Sequence, residues 1–168
     1  MMNREDSCWY AVSLEDLDEE KTCKVLKDWG FDASVIHREH FYKLAGSTSV
    51  IEKPLFPMVV LVVSGLGKEE FEKKLSLLEK HGYHIVCCEK LTDEEKEKII
   101  RLTDESCLVK ASAGYISGSD VFVTEGPLMG LEEDIKYINR HSRMAKLQMQ
   151  FLGETIRVKV PLVITGKD

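Results

Sequence analysis

Between Lys136 and Lys146 the chain carries Lys136, Asn139, Arg140, His141, Arg143 and Lys146 and no carboxylate. Cations gathered with nothing to neutralise them suit phosphate. Arg pairs with it bidentately or stacks on an exposed base, and Lys brings a point charge. Lys136, together with Arg157 and Lys159 further on, widens the patch. Asn139 has a side chain suited to a base edge, although its simpler role is a turn residue. If charged His141 touches phosphate, affinity rises as pH falls through the imidazole range. The plain alternative is a solvated hairpin turn, as most charge runs are. An acid-free run in a chain of net charge −6 favours phosphate.

Other chemistry-bearing residues lead less far. Gly65-Leu-Gly67-Lys68 precedes a helix pattern and invites a nucleotide loop. A Rossmann turn would need glycine at Glu70, and a Walker loop glycine at Val62 with Ser or Thr at Glu69. His81, His84, Cys87 and Cys88 are metal-type residues. On a strand, however, His84 and Cys88 share one face while Cys87 takes the other, so four ligands do not converge. His37 and His40, three apart on a strand, point to opposite faces. No nucleophile–base signature stands out. The expectation is a non-catalytic protein with neither cofactor nor catalytic residue and no metal.

Composition sets the frame. The 168 residues are 43% hydrophobic and 31% charged, as in an ordinary globular protein of one domain or two small ones. No apolar run approaches the roughly 20 residues needed to span a bilayer. The start, Met1–Asp6, lacks the apolar stretch of a signal peptide, so the cytoplasm is the expected location. Five irregularly spaced cysteines make a poor disulfide framework and read as reduced, mostly buried thiols. Residues 1–110 hold 16 Lys/Arg against 22 Asp/Glu, and residues 111–168 hold 7 against 7. Contact with nucleic acid should therefore be local recognition, not a general electrostatic coat.

The elements that must position the basic run follow from periodicity. Cys8–Leu14 reads as a central strand, Asp18–Trp29 as a helix ended by Gly30, and Val35–Leu44 as a strand leading into a polar loop, 45–49. Pro57–Val63 is apolar enough for a strand buried on both faces. Lys68–Lys80 carries Phe71, Leu75 and Leu78 at helical spacing, and His84–Glu89 is a further strand. Thr92 and Glu95 form a capping-box pattern opening a third helix. Together these make a βαββαβα sandwich. Beyond it, Ala111–Gly114 and Ser117–Ser119 read as a flexible linker. Val121 and Val123 alternate as a strand before a tight turn at Gly126-Pro127. Residues 145–151 and 156–160 alternate about a turn at Gly153-Glu154, forming a half-buried hairpin of a small barrel. The expectation is an α+β chain with an N-terminal domain at 1–106, a linker at 107–119 and an all-β domain at 120–168.

In this order the pieces resemble the NusG family of transcription-elongation factors. Trp9-Tyr10-Ala-Val sits at the usual start of the family's N-terminal domain, and Leu55-Phe-Pro57-Met-Val-Val-Leu-Val62 resembles its Phe-Pro-Gly-Tyr-Val strand motif. Leu91-Thr-Asp-Glu-Glu95 stands at its last-helix entry. Val121–Gly130 and Phe151-Leu-Gly153 match the two ends of its KOW module, an SH3-like barrel. Ile138–Arg143, Ala145 and Phe151-Leu-Gly153 are most similar to the LoaP group, processive antiterminators associated with an RNA hairpin in the nascent transcript.

The resemblance implies an apolar surface for RNA polymerase at Trp9, Leu55, Phe56 and Val59, with the 45–49 loop toward polymerase or the displaced non-template DNA strand. The plain alternative is that Trp9, Phe56 and Val59 are core residues of a small sheet, and Leu55 suits either role. The resemblance also implies a KOW domain that binds a nascent RNA hairpin, and a monomer with no membrane partner. In a housekeeping NusG, Phe151 and Leu152 would instead engage ribosomal protein S10 or Rho; a ribosome-associated KOW protein is a further alternative. The chain departs from the family pattern in three ways. Met58-Val59 replaces Gly-Tyr, Glu133 stands for a glycine late in the KOW turn, and Ser142 and Met144 stand where more Lys or Arg is usual.

Overall fold

The computed structural model describes residues 7–168, so Met1–Asp6, read above for a targeting signal, lie outside the described residues. The chain is mixed α+β. Among the described residues it has three helices and twelve strands in three sheets. None of the described helices is long and apolar enough to cross a membrane. Two compact units emerge: the described residues up to Val35 with Phe56–Lys96, and Ile36–Leu55 with Glu97–Asp168. This division differs from the expected one at 107–119, because the segment 36–55 and most of the third helix cluster with the C-terminal residues.

The first unit is a four-stranded antiparallel sheet in the order β2 (Asp32–Ser34), β5 (Val60–Ser64), β1 (Cys8–Leu14), β6 (Ile85–Lys90). β1 is central, as its apolar run predicts. Alternate residues Tyr10, Val12 and Leu14 join Val60 and Val62 in one core with Cys23 and Leu26 of α1 (Glu19–Asp28) and Phe71 and Leu75 of α2 (Lys68–Ser76). Tyr10 stacks on Phe71 with ring centroids 3.8 Å apart, and its hydroxyl donates to the Leu66 carbonyl at 2.7 Å. Burial, with the nearby Cys8, raises that phenol to about 12, so it stays a neutral donor. α3 (Asp93–Leu102) opens with the expected capping box: the Glu95 amide donates to Thr92 Oγ1 at 3.2 Å, and the Thr92 amide donates to the Glu95 carboxylate at 3.1 Å.

The second unit contains two sheets. One has the order β4 (Ser47–Pro54), β3 (His37–Leu44), β7 (Leu108–Val109). β3 and β4 form a full-length hairpin across a two-residue turn at Ala45 and Gly46, with φ of +51° and +83°. The expected polar loop at 45–49 is therefore mostly strand. Ser47 and Thr48 are exposed and Ser49 half-buried on an edge strand, which alternation in a polar segment does not reveal. The other sheet has the order β10 (Ile135–Asn139), β11 (Met144–Phe151), β12 (Glu154–Lys167), β8 (Ser112–Ser117), β9 (Asp120–Glu125). β12 is long enough to pair antiparallel with β11 and then parallel with β8. Ala145, Leu147, Met149 and Phe151 are buried as their alternation predicts, and the β11–β12 turn is Leu152-Gly153, one residue earlier than expected.

Residues 107–119 are strand and turn, not a flexible linker, since β7 and β8 lie within them. The small side chains there answer to packing. A Cβ on Gly114 would lie 2.2 Å from the Phe122 carbonyl oxygen, and Ser112 Oγ accepts the Leu128 amide at 3.0 Å. Glu133, standing where the family pattern has glycine, lies in a 3-10 turn at Glu132–Asp134.

Candidate nucleic-acid interface

The basic run occupies the end of β10, a four-residue turn and the start of β11. The turn closes because Asn139 Oδ1 accepts the Ser142 amide at 3.0 Å and Arg143 takes a left-handed φ of +55°. Asn139 therefore plays the turn role. Arg140 and His141 are exposed at the tip. Arg143 turns back so that its guanidinium carbon lies 5.4 Å from the Phe41 ring centroid on β3, within cation–π range. Lys136 is drawn toward its own turn, with Nζ donating to the Glu133 carbonyl at 2.8 Å.

Beside the turn the ladders align a row across three strands. Tyr137 on β10 pairs with Lys146 on β11, which pairs with Lys159 on β12. All three are exposed, and the Lys146 ammonium sits 5.5 Å from the Tyr137 ring centroid. Lys146 and Lys159 are like charges directly opposite one another, an arrangement that costs stability in a sheet. Arg157 extends the cations by one more position on β12, opposite Gln148.

β3 contributes the wall facing this row. His40, Tyr137, Asn139, Met144, Lys146 and Lys159 line a cavity of about 230 Å³ whose described lining holds no carboxylate. A neighbouring cleft of about 190 Å³ is lined by Phe41, Tyr42, Lys43, Thr48, His141 and Arg143. Arg38, only 7% exposed, places Nη1 3.1 Å from His40 Nδ1 and 3.9 Å from the Met144 sulfur. Because the guanidinium can only donate, His40 accepts at Nδ1 and carries its proton on Nε2. Burial first, then the charges of Lys53, Arg38 and Lys159, holds His40 below the ordinary imidazole value of 6.5. Burial alone lowers Arg38. The site is thus a concavity of positive potential, fitted for an anion, with an aromatic ring at its edge.

Other expected site residues lie differently. Trp9, Leu55 and Phe56 are 3%, 3% and 4% exposed, and Val59 is half-buried, so they present no exposed apolar patch. β1 is central and buried along both faces, which encloses Trp9. The Leu55 amide donates to the Ile36 carbonyl at 2.8 Å, drawing the start of the motif inward. Met58 is the exposed member, 52% accessible with φ +67°. Phe151 is buried, leaving half-buried Leu152 at the hairpin tip.

The five cysteines are thiols, not disulfides: Cys23 and Cys107 are buried, while Cys8, Cys87 and Cys88 are half-buried, more open than expected. Burial, then the Glu72 carboxylate, pushes the Cys88 thiol up to about 11. Burial likewise raises Cys87, whose Sγ is 3.8 Å from the Ala11 carbonyl oxygen. Both are poor nucleophiles at neutral pH. His84 precedes its strand, and no described group of three or more His, Cys, Asp or Glu could hold a metal ion.

Reading the sequence found the turn, Lys146 and Lys159, but missed His40 and Tyr137 as members of the same surface and Arg38 as the buried partner of His40. Their only local signal is residue type; register aligns Tyr137 with Lys146 and Lys159, and packing of β3 against that sheet adds His40. Fold and site define an α+β protein with a cationic, aromatic-edged concavity. No protein-family model matches the chain, and comparison with curated proteins finds no match.

Proposed function

We propose that this chain is a non-catalytic, cytoplasmic transcription antitermination factor of the NusG type. In this reading its first unit is built on a NusG-like N-terminal domain that binds RNA polymerase. Its C-terminal strands form a KOW barrel that binds a nascent RNA hairpin, as in the LoaP group. The observation that carries the reading is the row Tyr137–Lys146–Lys159 beside the Arg140–Arg143 turn: cations held opposite one another without a lining carboxylate gain most from a polyanion. The backbone at Met58 adds support, because the family motif has glycine there and φ is +67°, a conformation glycine favours. With Trp9, Leu55 and Phe56 buried, the proposed polymerase contact falls to exposed Met58 and its neighbours.

Tethering gives each contact a high local concentration of its target, so two modest contacts act as one durable one. The test is co-purification with RNA polymerase combined with stem-loop RNA binding by the same full-length protein. Changing Arg140, Arg143 and Lys146 to Ala should each weaken RNA binding by about 1–3 kcal/mol while polymerase capture persists. A triple variant with full RNA affinity would remove this surface from the proposal.

A further inference from the structure

We infer that the cavity between β3 and the β10–β11 pair receives one unstacked base of a structured RNA, whose phosphate lies on the Lys146–Lys159 pair. This rests on the RNA-binding reading and deepens it by assigning a part of the RNA to a part of the surface.

Size comes first. The cavity, about 230 Å³, is below the roughly 300–1,000 Å³ of pockets that take drug-sized ligands, and suits a single ring system. Its lining is mixed in the way a nucleotide needs. Met144 and Ala145 are buried apolar residues that supply a floor, while Tyr137, 52% exposed, supplies an aromatic face. Stacking on such a face is tolerant of base identity. His40 supplies a directional group: with Nδ1 occupied by Arg38, its Nε2–H is a donor for a base acceptor. Lys146 and Lys159 stand at the same cavity as paired like charges, the arrangement a phosphate relieves. A paired stem offers neither an unstacked ring nor an open base edge, so the occupant is an extruded nucleotide, in a loop or a bulge.

The experiment uses full-length protein and two stem-loop RNAs, identical except that one bulged adenosine is replaced by an abasic nucleotide. The phosphate count is the same, so electrostatic attraction is the same. The abasic RNA should bind about tenfold more weakly, in line with the worth of one base stacked on an aromatic side chain. Tyr137→Ala should remove that difference and Tyr137→Phe should keep it. In a methyl spectrum the bulged RNA should shift the Met144 signal, whereas inorganic phosphate alone should leave that methyl in place. Equal, salt-sensitive affinities for the two RNAs would overturn the base pocket and leave the RNA-binding reading standing. No binding of either RNA would overturn both. A Met144 shift with phosphate alone would make the cavity a simple anion site and overturn the inference.

Discussion

Neutralising Lys159 should make the protein more stable and a poorer RNA binder at once. Lys159→Gln keeps most of the stem and removes the charge that faces Lys146 across the β11–β12 ladder. Directly opposed like charges cost a sheet on the order of 0.2–1 kcal/mol, so relief of about 0.5 kcal/mol is expected. For a chain of this length that is a rise in Tm of about 1–2 °C, larger at low ionic strength because the pair is exposed. For the RNA the same change removes one phosphate partner. The loss should be about 1 kcal/mol, roughly fivefold in Kd, and the slope of log K against log salt should shrink by about 0.7–0.9. Thermal unfolding at two salt concentrations and fluorescence anisotropy across a salt series read the two effects separately. A Lys159→Gln protein with a lower Tm and an unchanged salt slope would refute the reasoning, because the pair would then be neither repulsive nor in contact with anion.

His40 gives a pH test. Its folded pKa is lowered, so the unfolded chain binds the proton more readily, and stability should fall as pH drops below the ordinary imidazole value of 6.5. Bound phosphate favours the charged ring, so RNA affinity should instead rise over that window; an NMR titration should show the His40 midpoint moving up on adding RNA and, without RNA, up in Lys159→Gln. Phe56→Glu would place a carboxylate where the side chain is 4% exposed, and should lower stability by more than about 3 kcal/mol in a denaturant titration. A well-folded variant would show Phe56 to be far more accessible. At Met58, with φ +67°, glycine should raise or preserve Tm and valine should lower it, since a β-branched residue is least at home there.

Most elements were legible because their signals are local. Cys8–Leu14 is apolar enough to be central, Thr92 and Glu95 make the capping box their spacing promises, and alternation along 145–151 gives the buried face of β11. Where the reading failed, the deciding contact was distant. Ser47–Pro54 has no apolar alternation and is a strand because β3 pairs with it along its length. Ser112 and Gly114 look flexible in isolation, yet one accepts the Leu128 amide and the other lies against the Phe122 backbone. The site divides in the same way. An acid-free run announces Arg140, Arg143 and Lys146. His40 and Tyr137 join them only through ladder register and the return of β3.

The central claim, that the surface around Arg140–Lys159 touches RNA, is tested most directly by ultraviolet crosslinking of the tagged full-length protein in its native cells. Mass spectrometry would then locate the crosslinked peptides. The expected result is crosslinks concentrated at 137–146 and 157–159, lost when Arg140, Arg143 and Lys146 are all changed to Ala. Crosslinks that fall elsewhere and survive that triple change would contradict it.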